Sequence, residues 1–96
     1  ASDVYKRQIE NLIIYKKAMY NAETFSENEL LDMLNPILKS ESVWKSHALL
    51  LMADYFENSN NLIKSKNFLE EIVNSELVNN EIRIEAERRL KRKFGD

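Results

Sequence analysis

His47 is the only histidine in this 96-residue chain, and cysteine is absent. A zinc site needs further His or Cys ligands, and a histidine-based triad needs a positioned nucleophile and acid. No H-E-x-x-H, G-x-S-x-G, Walker or dinucleotide-binding pattern supplies them. With Gly95 the single glycine, no Gly-rich loop cradles a phosphate. Glu70 and Glu71 are sequence neighbours that do not face one another on a helix. Glu85 and Glu87 stand four residues ahead of Arg89 and Lys91, the spacing of helix-surface ion pairs. The residues therefore lead to no catalytic group, no metal site, no cofactor and no small-molecule substrate.

Two groups remain as binding candidates. Arg88, Arg89, Lys91, Arg92 and Lys93 form the one dense basic cluster. They could contact anionic headgroups or a nucleic acid. The simpler explanation is a helix whose last turn complements the negative end of its dipole, with Glu81 and Glu85 near the positive end. Trp44, His47 and Tyr55 are the second group, a partner-binding rim on an otherwise apolar helix, since aromatic residues anchor protein interfaces. At helical spacing, most of the aromatic residues near them are expected in the core.

The elements that must carry these groups are helices. Gly and Pro occur once each, which starves a sheet of turn residues, while Leu, Ala, Glu, Lys and Arg are plentiful. The fold class expected is all-α, with about five helices in stacked antiparallel hairpins. A net charge of −2 argues against a general nucleic-acid binder. No apolar run reaches the roughly 20 residues that span a bilayer.

Ala1 to Gln8 read Ala-Ser-Asp-Val-Tyr-Lys-Arg-Gln. Back-translated, they reproduce the transposase-end adapter of tagmentation libraries. The expectation is that residues 1–8 are adapter read-through from a metagenomic reading frame and that the helical domain occupies 9–94. From there the first helix is expected over about Ile9 to Ala22, with Ile9, Leu12, Ile13, Met19 and Tyr20 as its apolar stripe. Ser26-Glu27-Asn28-Glu29 has the form of a capping box opening the second helix. Pro36 predicts an end or kink at Asn35, with Ile37 and Leu38 still packed inward. The third helix, about Ser42 to Asn58, is apolar nearly all round and should be central. The fourth spans about Asn61 to Asn74, with Leu62, Ser65, Phe68, Leu69, Ile72 and Val73 inward. The fifth spans about Asn80 to Lys93, with Ile82, Ala86, Leu90 and Phe94 inward.

Helices three and four read as a degenerate tetratricopeptide unit. Ala53, Phe56 and Ser65 take the places of the small residue, the aromatic and the second small residue nine positions beyond it. Ser65 stands where Ala is usual, and no Pro closes the unit. More widely, about Ile9 to Lys91 resembles the tetratricopeptide-like domain of the ancillary subunit of the SecYEG translocon, in its alphaproteobacterial form. The residues concerned are Leu30-Leu31, Leu34-Asn35-Pro36-Ile37-Leu38, and Val43-Trp44 followed by His47 to Ala53. Ile82-Arg83 with Ala86, Arg88 and Leu90 completes the pattern.

The resemblance implies a protein-interaction module on the periplasmic side of the inner membrane, with translocon subunits or periplasmic chaperones as partners. It also implies an N-terminal membrane anchor upstream of Ile9. The alternative is a cytoplasmic helical adaptor using the basic C-terminal helix on nucleic acid. Fewer than three hairpins usually fall short of a self-sufficient array. Further helices upstream, or self-association through the exposed face of the first helix, are therefore expected.

Overall fold

The computed structural model describes residues 2–95 and contains five helices. They are α1 (Ser2–Asn21), α2 (Glu27–Leu38), α3 (Lys45–Asn58), α4 (Leu62–Asn74) and α5 (Asn80–Phe94). Successive helices pack as neighbours, so the fold is the all-α stack of antiparallel hairpins that the sequence predicts. Alone among them, α3 packs against the other four, while α1 does not pack against α5 among the described residues and α2 reaches α4 through the Glu27–Lys64 ion pair. The domain measures 45 × 30 × 17 Å, about two helices thick. In this slab α1, α3 and α5 lie side by side, and α2 and α4 back them.

Local chemistry fixes each hairpin. Ser26 Oγ accepts from the Glu29 amide, and the Ser26 amide donates to Glu29 Oε1 at 2.9 Å, so the expected capping box starts α2. Asn61 and Asn79 cap α4 and α5 by accepting from the Lys64 and Ile82 amides. Between α3 and α4 the chain turns through Asn60, whose φ of 62° is left-handed. The Asn60 amide donates to the Glu57 carbonyl, and the Asn61 amide to the Phe56 carbonyl at 2.8 Å. This is a Schellman closure with Asn60 at C′. Asn61 then ends one motif and begins the next helix, which makes the hairpin tight.

Two apolar clusters share α3. Ala18, Leu30, Leu34, Ile37, Ala48, Met52 and Phe56 join α1 and α2 to it. Leu49, Ala53, Leu69, Ile72 and Ala86 join it to α4 and α5. Ser65 is buried and donates to the Ala53 carbonyl at 2.9 Å, while Phe56 and Phe68 stack with centroids 5.7 Å apart. The small-residue crossing read from the sequence is thus where α3 and α4 meet.

Two expectations are corrected. Of the end or kink expected at Asn35, the end does not occur, since α2 runs on to Leu38. Proline removes one amide and crowds the carbonyl four residues back. That carbonyl belongs to Asp32, an exposed residue, and Pro36 is exposed too. Meanwhile Ile37 is fully buried and the Lys39 amide donates to the Asn35 carbonyl at 3.0 Å. Burial of Ile37 outweighs the lost hydrogen bond. Leu62 likewise lies on the exposed side of α4 rather than facing inward.

The larger difference lies in α1. Its packed face consists of Asn11, Ile14, Tyr15 and Ala18, continued by Ala22 in the turn that follows. Ile9, Ile13, Met19 and Tyr20, from the predicted apolar stripe, are exposed. Ile9 and Ala18 are nine positions apart, about half a turn at 3.6 residues per turn. The helix therefore has apolar residues on two opposite faces, and only one is covered.

Candidate functional site

The candidate site is drawn from α3 side chains that are partly or fully exposed, one of which, Leu51, also packs against the first cluster. His47, Leu51, Asp54 and Asn58 recur at four-, three- and four-residue steps and share one stripe of α3. That stripe lies between α1 and α5, which flank α3 without touching each other. Toward α1 it opens into a groove of about 510 Å³. Leu51, Asp54, Tyr55 and Asn58 line it from α3, and Ala22 and Glu23 from the turn that follows α1. Burial first, and then the Asp54 carboxylate, push the Tyr15 phenol above its ordinary value.

Of the predicted rim residues, Tyr55 lines this groove. Its hydroxyl is already committed, donating to the Phe25 carbonyl at 2.9 Å, so its ring rather than its OH is on offer. Trp44 and His47 sit two to three turns away, at the other end of α3, in an aromatic cluster with Tyr15. The Trp44 ring lies near-parallel to Tyr15 at 6.3 Å, and His47 meets both edge-on at 5.0 and 5.6 Å. Trp44 Nε1 donates to the Gln8 carbonyl at 3.1 Å. His47 Nδ1 is buried without a hydrogen-bond partner, and burial lowers the imidazole pKa. Trp44 is therefore a clamp between α1 and α3, and the three residues do not form one site.

A polar knot holds this end of α3. Ser42 Oγ accepts from buried Asn11 Nδ2 and from the Trp44 amide, and donates to Gln8 Oε1, all at 3.1 Å. Gln8, the last residue of the segment attributed to an adapter, thus bonds the turn between α2 and α3.

The basic cluster divides. Arg89 bonds Glu85 and reaches across to Asp54, Arg88 bonds Glu85, and Lys93 bonds Glu57 of α3. Burial pulls the Arg89 pKa down, but its hydrogen bonds to Glu85 and Asp54 outweigh this and raise it. The same bond from Arg89, against a smaller desolvation, holds Glu85 below the usual carboxylate value. Lys91 and Arg92 make no ion pair among the described residues. Arg89 and Lys93 therefore fasten α5 to α3 and form one side of the stripe.

Leu51, Asp54, Asn58 and Glu23 were not singled out from the sequence. The available signal was the recurrence of polar residues at 47, 54 and 58 in an otherwise apolar helix. Among the described residues no group of three or more His, Cys, Asp and Glu side chains is placed to hold a metal ion. No helix among them is long and apolar enough to cross a membrane. No family model matches the chain, and neither a curated protein nor a solved structure matches it.

Proposed function

We propose that this chain is a non-catalytic protein-interaction domain whose partner lies along the α3 stripe between α1 and α5. The observation that carries the reading is the groove at the α1 side of α3, lined by Leu51, Asp54, Tyr55 and Asn58. Stacked hairpins offer such extended surfaces to peptides and helices. Leu51 and the Tyr55 ring supply an apolar floor and Glu23 a carboxylate, while the Asp54 carboxylate is already bonded by Arg89. The mixture suits a segment that inserts an apolar side chain and presents amide or basic donors beside it.

The finer reading is a partner in the bacterial protein-export machinery, a translocon subunit or periplasmic chaperone, met on the periplasmic side of the inner membrane. Its support is the resemblance alone. Leu30, Leu34, Ile37, Ala48, Met52 and Ala86 from that pattern are all buried, so they speak for related packing and not for a partner. For the nucleic-acid alternative, only Lys91 and Arg92 of the cluster remain outside ion pairs among the described residues. Phosphate binding draws its strength from free cations, so this alternative is the weaker one.

The test is capture by the immobilised domain from a bacterial envelope fraction, beside the variants Glu23→Lys and Asn58→Arg. Both positions are exposed, so neither change disturbs the core. Recovery of a translocon subunit or chaperone by the parent protein and its loss with the variants supports the reading. Recovery of neither, or equal recovery by all three proteins, counts against it. A low-salt mobility shift with DNA or RNA would favour the alternative.

A further inference from the structure

The uncovered face of α1 has a composition that needs explaining. Ile9 is 42% exposed, Ile13 49% and Tyr20 83%, and they share the side of the helix opposite Ala18, which is fully buried. An amphipathic surface helix shows water its polar face and buries its apolar one. Here both faces carry large apolar side chains, as in α3, which has neighbours on either side. Scattered exposed apolar residues are ordinary, but here three of them, with Lys16 among them, fall on one side of one helix.

We propose that α1 pairs antiparallel with α1 of a second copy, forming a two-fold dimer centred on Ile13. The charges beside the stripe select this occupant. Glu10 and Lys17 lie on the same flank of the exposed face, seven residues apart, and neither makes an ion pair within the chain among the described residues. With Ile13 on the two-fold axis, Glu10 of each copy lies beside Lys17 of the other. A two-fold contact must be self-complementary, and this one is, because it generates two reciprocal Glu10–Lys17 pairs around an apolar centre. Ile9 then rests on the aliphatic stem of Lys17 of the second copy, a usual way for lysine to cover apolar surface. One helix pair gives an interface at the small end of the range, so the dimer should dissociate in the micromolar regime. The inference uses the face of α1 turned away from the α3 stripe and does not depend on the partner proposed above.

The experiment is sedimentation velocity and light scattering on the full chain over a dilution series, with circular dichroism to verify folding. The parent protein should reach twice its monomer mass at high micromolar concentration. Ile13→Glu, which sets two carboxylates against each other on the axis, should be monomeric with an unchanged melting profile. Glu10→Lys and Lys17→Glu should each weaken the dimer by on the order of tenfold, as expected when a close ion pair becomes a like-charge pair. The double variant should restore dimerisation. A parent protein that stays monomeric overturns the proposal, as does an Ile13→Glu variant that still dimerises. Failure of the double variant to restore association overturns the charge pairing and with it the antiparallel register. Binding of the monomer to phosphatidylglycerol vesicles, without dimerisation, would give the face to a lipid surface and also overturn it.

Discussion

Ser65 Oγ donates to the Ala53 carbonyl at 2.9 Å across the point where α3 and α4 cross, and both residues are buried. Small side chains let two helices approach, and the hydroxyl uses the short gap for a bond that alanine cannot make. Ser65→Ala should therefore lower unfolding stability by about 1 kcal/mol, the usual worth of one intramolecular hydrogen bond. Ser65→Leu should cost more, about 1–3 kcal/mol, because added methylenes force the helices apart. Urea denaturation with a common m-value measures both. A Ser65→Leu variant as stable as the parent would show that the crossing is not tight.

Ser42 gathers two donors, from buried Asn11 and from the Trp44 amide. Ser42→Ala leaves Asn11 Nδ2 without its acceptor at a buried site, and such orphaned groups cost about 1–3 kcal/mol. Ser42→Ala combined with Asn11→Leu should recover part of that loss, since both polar partners are then gone. A double-mutant cycle measures the recovery. Strict additivity would mean that the pair is not coupled.

The hairpin order was legible in the sequence because its causes are local. The Ser26–Glu29 capping box and the polar breaks before α4 and α5 act over a few residues, and their partners are read from adjacent positions. The orientation of α1 was not legible. Periodicity detects an apolar stripe but does not say whether anything covers it. On α1 the visible stripe, through Ile9, Ile13 and Tyr20, is the uncovered one. The packed face hides behind Asn11 and Ala18, a polar and a small residue that attract no notice until Ser42 and α2 are placed against them. Pro36 misled for a related reason, since the backbone rule is local and the burial of Ile37 is not.

The candidate site was half legible for the same reason. Tyr55 stood out by type, whereas Asp54 and Asn58 look like ordinary surface residues until α1 and α5 flank them. Arg89 was read within a basic cluster, and its contact with Asp54 spans 35 residues of sequence.

Asn60 holds a φ of 62° at the C′ position of α3. Glycine occupies this conformation without a Cβ penalty. Asn60→Gly should leave stability unchanged or raise it slightly. Asn60→Val should lower it by about 1–2 kcal/mol, the cost of the left-handed region for an ordinary L-residue. Thermal melts of the two variants check the sign. Equal melting temperatures would mean that the turn adopts another conformation.

His47 should make stability depend on pH in one narrow window. Burial lowers its pKa from 6.5 in the folded state. The unfolded chain therefore takes up the proton first as pH falls. By linkage, stability rises with pH wherever the unfolded state binds more protons. The contribution of the neutral imidazole is complete above 6.5 and is lost as pH falls toward the lowered folded value. Glu85 has the opposite charge chemistry but a similar sense, because its lowered pKa makes its pairing with Arg89 fade only below the carboxylate value of 4.5. The two effects separate if melts are compared between about pH 5 and 7, where carboxylates stay ionised. There the parent protein should lose stability toward the acid end, while His47→Phe, which keeps an aromatic ring beside Trp44 and Tyr15, should stay flat. Parallel losses in both proteins would assign the pH dependence to another group and leave the buried Nδ1 without an energetic role.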